Sequence, residues 1–484
     1  MRKLLLASAA VIGGVAGGQV MAQTVVTTAV PLPPTWTEAP VPTQPRGISG
    51  ANSNLSGQGF YTKGPLPAPT PGSIVVRFNG RVVFYGFASN SSTQSVTTFV
   101  DGKAVASRKS QPYGTIGYAR FYQGVDGLTT SGLRYGASVE IRVSTSTAKA
   151  STTSGGASGA TSGSSTAPGQ TLYVRRAFAY IGGDNWGAVH FGQDDGPMGL
   201  MEGGVTTFQT YNDGGWNDDL NDIGNPSTPV FPFPTGIGNE YTTSKVVYLS
   251  PQIAGFDFAA SFEPDDNPLN DSIADATAGS PQLSTGLTAD EIARRRNTYE
   301  AAARYQGNFG PAGIYAMAGY MGSGQVTRGI GAPSTNYNNL GILMTGIAVN
   351  FGGFRVGGNF TTGQVNNQVG LKVDGGANMV AYIVGAQYTA GPMTVGASYL
   401  NVLSQGATGP TSPSNPNGLL GSQRREGGIN VGGTYVVAPG LLGWLSATYG
   451  QRYQGGWNFG TGTVGPGANN VKFTAIALGG MVRW

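Results

Sequence analysis

From Ser73 onward the chain alternates between apolar and polar positions with a period of two. Across Ile74 to Tyr85 the even positions are Ile74, Val76, Phe78, Gly80, Val82 and Phe84, while the odd ones include Arg77, Asn79 and Arg81. From Leu133 to Val143 the parity reverses. Leu133, Tyr135, Ala137, Val139, Ile141 and Val143 share one face, and Arg134, Ser138, Glu140 and Arg142 share the other. Successive side chains of a strand point to opposite sides, so each segment predicts a strand with one apolar and one polar face. Sixteen segments of this kind are counted: 73–88, 113–123, 131–143, 171–181, 186–194, 244–250, 255–264, 298–308, 312–323, 338–351, 353–363, 378–391, 393–405, 426–438, 441–453 and 470–484.

The connections alternate between long and short. Gly182-Gly183-Asp184-Asn185, Gly352-Gly353, Gly391-Pro392 and Ala438-Pro439-Gly440 carry turn chemistry, with Gly for positive φ and Pro to preset φ. The stretches 144–170, 195–243, 265–297 and 406–425 are long and rich in Ser, Thr, Asn, Pro and Gly. Residues 151–166 are nearly pure Ser, Thr, Gly and Ala. Thr288-Ala289-Asp290-Glu291 has the spacing of a capping box and predicts a brief helical run to Arg296. An even strand count, with long loops at one end and tight turns at the other, predicts an all-β fold: a transmembrane antiparallel barrel of about 16 strands. Lipid offers the backbone no hydrogen bonds, so a sheet within it must close on itself. The expected parity is apolar outside and polar inside.

Composition narrows the chemistry. The chain has 484 residues with 80 Gly, 29 Pro, one His and no Cys. Disulfides and thiolate metal sites are excluded, and so much Gly argues against a mainly helical chain. Charged residues make up 11%, against about 25% in ordinary soluble domains. No cofactor is expected. His190, mid-strand at inward parity, has no accompanying nucleophile motif and reads as a wall residue.

The N-terminus differs in kind. Arg2 and Lys3, the apolar stretch Leu4 to Ile12, and Val20-Met21-Ala22 before Gln23 predict a signal peptide over 1–22. Its removal lowers the net charge from +4 to +2, which argues against nucleic acid as a partner. Residues 23–72 hold ten prolines, Pro31 to Pro71, and predict an extended periplasmic segment, either a spacer or a peptidoglycan contact. The barrel domain is then 73–484.

The terminal strand places Val482, Gly480, Leu478 and Ile476 on the face of Trp484. An aromatic C-terminus after alternate apolar residues resembles the end of outer-membrane barrel proteins, which the barrel-assembly machinery engages. Tyr85, Tyr388, Tyr399, Tyr435, Tyr449 and Tyr453 suit an interfacial girdle facing outer-membrane lipid. Between 115 and 250 the chain resembles the general porins of Gram-negative outer membranes. The matching strings are Ile116-Gly117-Tyr118-Ala119-Arg120-Phe121, Arg175-Arg176-Ala177-Phe178-Ala179-Tyr180, Trp186 to Asp194, Val247-Tyr248-Leu249-Ser250-Pro251 and Gly255-Phe256. The resemblance implies an outer-membrane homotrimer of sixteen-stranded barrels, each with its third long loop folded into the lumen.

One long loop folded inward narrows a lumen that sixteen strands leave wide. The loop 195–243 is the candidate. It carries Asp195, Glu202, Asp213, Asp218, Asp219 and Asp222 without a Lys or Arg. Arg77, Arg81, Arg120, Arg134, Arg142 and Arg175 lie at inward parity on the strands before it, and the family places an arginine at Arg120. Arg176 has the opposite parity and is expected to face lipid or a neighbouring protomer. Opposed charges set a field across a pore: a pair about 4 Å apart is worth roughly 1 kcal/mol in water and about 4 kcal/mol at an effective dielectric near 20. Asp213, Asp218, Asp219 and Asp222 alternatively offer oxygen ligands to calcium, although their spacing matches no EF-hand. Tyr118 and Tyr122 share the parity of Arg120, either to stack sugars or to fill the wall. The expected function is passive diffusion of small hydrophilic solutes and ions. The rivals are a pore selective for sugars or small anions and a non-transport β protein. An enzyme is the weakest reading, for want of a catalytic constellation.

Overall fold

The computed structural model describes residues 69–92, 95–100, 103–109, 112–144, 171–201, 203–207, 243–265, 293–294, 296–328, 332–333, 337–366 and 371–484. The expected signal peptide, all of the Pro-rich segment before residue 69, and the stretch 151–166 lie outside them.

All sixteen expected segments are strands of one closed barrel. They are β1 (Ser73–Ser91), β2 (Tyr113–Leu128), β3 (Arg134–Ser144), β4 (Thr171–Gly183), β5 (Gly187–Asp194) and β6 (Thr243–Leu249). Next come β7 (Phe256–Asp265), β8 (Arg296–Phe309), β9 (Ala312–Gly322), β10 (Gly341–Phe351) and β11 (Phe354–Gln364). The last are β12 (Met379–Ala390), β13 (Met393–Ser404), β14 (Arg424–Ala438), β15 (Leu441–Tyr453) and β16 (Asn470–Arg483). Each strand pairs antiparallel with its neighbours in sequence. β16 returns to β1, where Gly80 and Trp484 exchange backbone hydrogen bonds of 3.2 and 3.1 Å. No edge is left unpaired, as a sheet in lipid requires.

Seven short turns lie at the end where Ser73 enters, and the long loops lie at the other end. Two-residue turns at Gly352-Gly353 and Gly391-Pro392 put Gly352 and Gly391 at φ +57° and +55°, where a side chain would strain the backbone. β2 continues five residues past its expected end. Gly127 there backs onto the Tyr135 ring, and Asp126 accepts a hydrogen bond from the Tyr180 hydroxyl. The helical run expected to reach Arg296 is not formed at its end. Ala293–Arg294 is instead a strand paired with Thr327–Arg328 in a small sheet, where a ladder outweighs a local capping signal.

Apolar side chains cover the outer face: Val82, Phe84, Phe191, Phe258, Ile347 and Leu478 are 45% to 66% exposed. Tyr388, Tyr399, Tyr435, Tyr449 and Tyr453 also face outward. Tyr85 does not. It belongs to the odd, inward set of β1, is buried, and packs 5.0 Å from Trp444.

The expectation of a polar interior holds on only part of the circumference. Met317 and Met321 of β9, Ile342 and Met344 of β10, Met379 and Ile383 of β12, and Leu400 of β13 are buried together on the inner side. A second inner cluster joins Val83, Tyr85, Leu442, Trp444 and Met481 at the seam. In β9, β10 and β12 both faces carry apolar side chains, so the inner wall there is a packing surface, while β11 between them keeps Arg355, Asn359 and Thr361 buried on its inner side.

Candidate functional site

Strand register brings four arginines into one row. Arg483 of β16 lies opposite Arg81 of β1, Arg81 opposite Arg120 of β2, and Arg120 opposite Arg142 of β3. Their parity is inward. Paired strands run about 4.8 Å apart, so such a row needs shielding from its own repulsion. Tyr118 supplies part of it: its ring lies 5.3 Å from the Arg81 guanidinium carbon and 4.6 Å from that of Arg120. Contacts of this kind are worth about 0.5–2 kcal/mol each.

Carboxylates supply the rest. Glu140 on β3, almost fully buried, accepts from Arg142 Nε at 2.6 Å and from Arg176 Nη1, with Arg175 Nη1 at 3.9 Å. Arg176 also grips Asp195, the first residue of the third long loop, through Nε to Oδ1 at 2.9 Å and Nη2 to Oδ2 at 2.6 Å. The expectation that Arg176 faces lipid is therefore corrected. A bulge in β4 is the cause: Glu140 pairs with Arg176 and Ile141 with Val174, so Arg175 is an extra residue. Val174 points outward and Phe178 inward, which leaves both arginines on the inner side.

The third loop enters the barrel at once. Asp194 accepts the Asp195 N–H at 2.8 Å and pairs with His190 Nδ1 at 2.7 Å, and the His190 ring stacks on Phe178 at 4.8 Å. A one-turn helix α1 (Pro197–Leu200) and a 3-10 turn (Gly204–Thr207) follow. Met198, Leu200, Met201 and Val205 are buried. Small wall residues make room for them. Leu200 and Met201 pack with Ala259 and Ala302, and Met198 lies against Gly319. Glu300 of β8 accepts the Met198 N–H at 3.1 Å. The loop thus leaves β5 and packs on the inner faces of β7 to β9 and β11.

The predicted residues divide accordingly. Arg81, Arg120, Arg142 and Arg175 come together, with Tyr118 beside them. Arg134 does not: it sits at the turn end of β3, bonded to Asp184 at 3.0 Å. Eight residues of strand place it roughly 27 Å from Arg142. Arg77 pairs through its backbone with Gly124, and its side chain lies outside the described residues. Glu202, Asp213, Asp218, Asp219 and Asp222 also lie outside them, as does the calcium alternative. Among the described residues no group of three acidic or histidine side chains is placed to hold a metal. Sequence reasoning missed Arg483, Glu140 and Arg176 as members of the charged belt. The first needs the register of the closed seam, Arg176 needs the β4 bulge, and Glu140, already at inward parity, meets Arg176 only because of that bulge.

The chain now matches a known family along most of its length. The family model for Gram-negative porins aligns with residues 76–452. The chain belongs to the Gram-negative porin family. No curated protein matches this porin in sequence. Among solved structures it is similar to the anion-selective porin from Comamonas acidovorans, with a TM-score of 0.52 and 14% identity over 85% of this chain and 100% of that one. It is less similar to OmpT of Vibrio cholerae in its trimer form, at a TM-score of 0.45 and 12% identity over 85% and 100% of the two chains. A mutant of the Rh. blastica porin gives 0.44 and 14% over the same shares. At these identities the likeness is one of fold. Family and fold together make this an outer-membrane channel protein.

Proposed function

We propose that this porin is a passive diffusion pore for small hydrophilic solutes and ions, with anions favoured at its narrowest level. The observation that carries the reading is the inward row Arg483, Arg81, Arg120 and Arg142 beside a loop that enters the lumen. Arg175 and Arg176 add two more guanidinium groups, while Glu140 and Asp195 are the carboxylates bonded among them. Among these described wall groups the excess of positive charge supports an anion preference. Glu202, Asp213, Asp218, Asp219 and Asp222 are assigned to the facing side of the constriction. At separations near 4 Å such charges bias passage by about 1–4 kcal/mol, which sorts ions without trapping them.

Purified protein in planar bilayers should give discrete conductance steps. In a potassium chloride gradient the reversal potential should carry the sign of chloride preference. An absence of steps overturns the pore, and a potassium preference overturns the anion bias alone. Liposome swelling with size-matched solutes tests the selective alternative, which requires a saturable preference.

The same reading has the chain exported by a signal peptide cleaved after Ala22, with the Pro-rich segment to residue 72 left in the periplasm. Trp484 and its strand would engage the assembly machinery, and three copies would associate. N-terminal sequencing of membrane-extracted protein and its native mass check these points.

A further inference from the structure

We infer that Asn359 is a positioning residue that sets the bore of the pore by clasping the inward loop against the far wall, an inference that rests on the channel reading above. Its side chain, 4% exposed on the inner face of β11, makes two hydrogen bonds to the loop backbone. Nδ2 donates to the Gly203 carbonyl at 2.5 Å, and Oδ1 accepts the Val205 N–H at 2.8 Å. One amide thereby satisfies a donor and an acceptor on either side of Gly204. Backbone groups of a buried loop need such partners, because leaving one unmade costs more than making it gains.

The wall around the clasp is cut away to receive the loop. A Cβ on Gly346 of β10 would lie 2.7 Å from the Gly203 oxygen and 2.6 Å from Asn359 Nδ2. A Cβ on Gly204, whose φ is +78°, would lie 2.4 Å from Asn359 Oδ1 and 2.6 Å from the Gly358 oxygen. Val205 seats its Cγ1 3.2 Å from the position a Cβ would take on Gly385 of β12. Gly346 on β10 and Gly385 on β12, with the Gly358 backbone of β11 between them, thus form a socket for residues 203–205, and Asn359 is the polar latch within it. The Arg176–Asp195 pair holds the loop at its root, more than seven residues earlier in the chain. Between those two points the path of the loop is fixed.

The test uses the full chain, which has no cysteine of its own. In V205C the new thiol is buried in the socket, so its rate of reaction with a soluble maleimide reports how often the loop leaves. Adding N359A should raise that rate by roughly 5- to 30-fold, the factor expected when one or two hydrogen bonds are lost. N359D keeps the acceptor and loses the donor, and should fall between the two. In bilayers N359A should show higher open-channel noise and a larger mean conductance. Oxidation of V205C/G385C in the N359A background should restore the quiet level. Unchanged labelling in N359A, or noise that the disulfide does not suppress, overturns the clasp. A wild-type protein that carries no current overturns the channel reading, while the labelling rates still decide whether Asn359 holds the loop.

Discussion

Arg176 grips Asp195 with two charge-assisted hydrogen bonds, Nε to Oδ1 at 2.9 Å and Nη2 to Oδ2 at 2.6 Å. This fork ties the wall to the first residue of the inward loop, and the same guanidinium reaches Glu140. Removing one partner of a buried pair costs about 3–5 kcal/mol, because it strands the other charge. Arg176→Met should therefore lower stability by that order, read as an earlier unfolding transition in urea with the protein in detergent. Arg176→Lys keeps the charge but not the planar fork, and should lose less. Equal transitions for wild type and R176M would show that the pair does not hold the loop.

The arginine row predicts a graded charge response. Arg120→Glu reverses a charge beside Tyr118 in the middle of the row and should shift the reversal potential toward potassium. The chloride-to-potassium permeability ratio should fall by roughly 5-fold or more, given about 1–4 kcal/mol per close pair. Arg134→Glu should change it little, because Arg134 lies at the turn end against Asp184, whose side chain is 61% exposed. Equal shifts for the two variants would remove the row from the selectivity step.

Gly346 tests the socket through sterics. Gly346→Val puts a side chain where the Gly203 carbonyl lies, and the loop backbone must yield. Overpacking of this kind costs about 1–3 kcal/mol. The barrel strands should stay intact by circular dichroism, while a thiol introduced at Val205 becomes reactive. Unaltered thiol reactivity would mean that the loop is held elsewhere.

The seam offers a fourth test. A Cβ on Gly80 would lie 2.5 Å from the Trp484 ring, which also packs edge-on to Phe121 at 6.1 Å. Gly80→Val should displace the terminal indole and lower the temperature at which the barrel shifts to its unfolded mobility on a gel. Trp484→Phe keeps an aromatic end without that crowding and should be milder. The reverse order would place the importance of Trp484 outside the folded seam.

How much of this was legible follows from where local pattern suffices. β1 and β3 alternate cleanly, so the inward set Arg81, Glu140 and Arg142 was readable from parity alone. Arg176 was not, because one extra residue in β4 flips the face, and a bulge leaves no clear trace in the alternation. The apolar inner wall was hidden for another reason. Along Ile342-Leu343-Met344 every position is apolar, and a run without alternation cannot say which face is covered. What covers it, Met198 and Val205 of the loop, lies more than a hundred residues away in sequence. Asn359 stood in a stretch of Gly and Thr with nothing to mark it, since its meaning depends on the backbone of that distant loop. Arg483 had visible inward parity, but its neighbours Arg81 and Arg120 become neighbours only through the seam.

Closure of the seam also completes the arginine row. The row runs Arg483, Arg81, Arg120, Arg142, so it draws on the penultimate residue of the chain and on the first strand of the barrel. Until the last strand zips onto the first, the two halves of the row stand on opposite bare edges of a growing ribbon. The complete arginine row and the closed wall are therefore formed in one event. A chain stalled short of its final residues would lack both together.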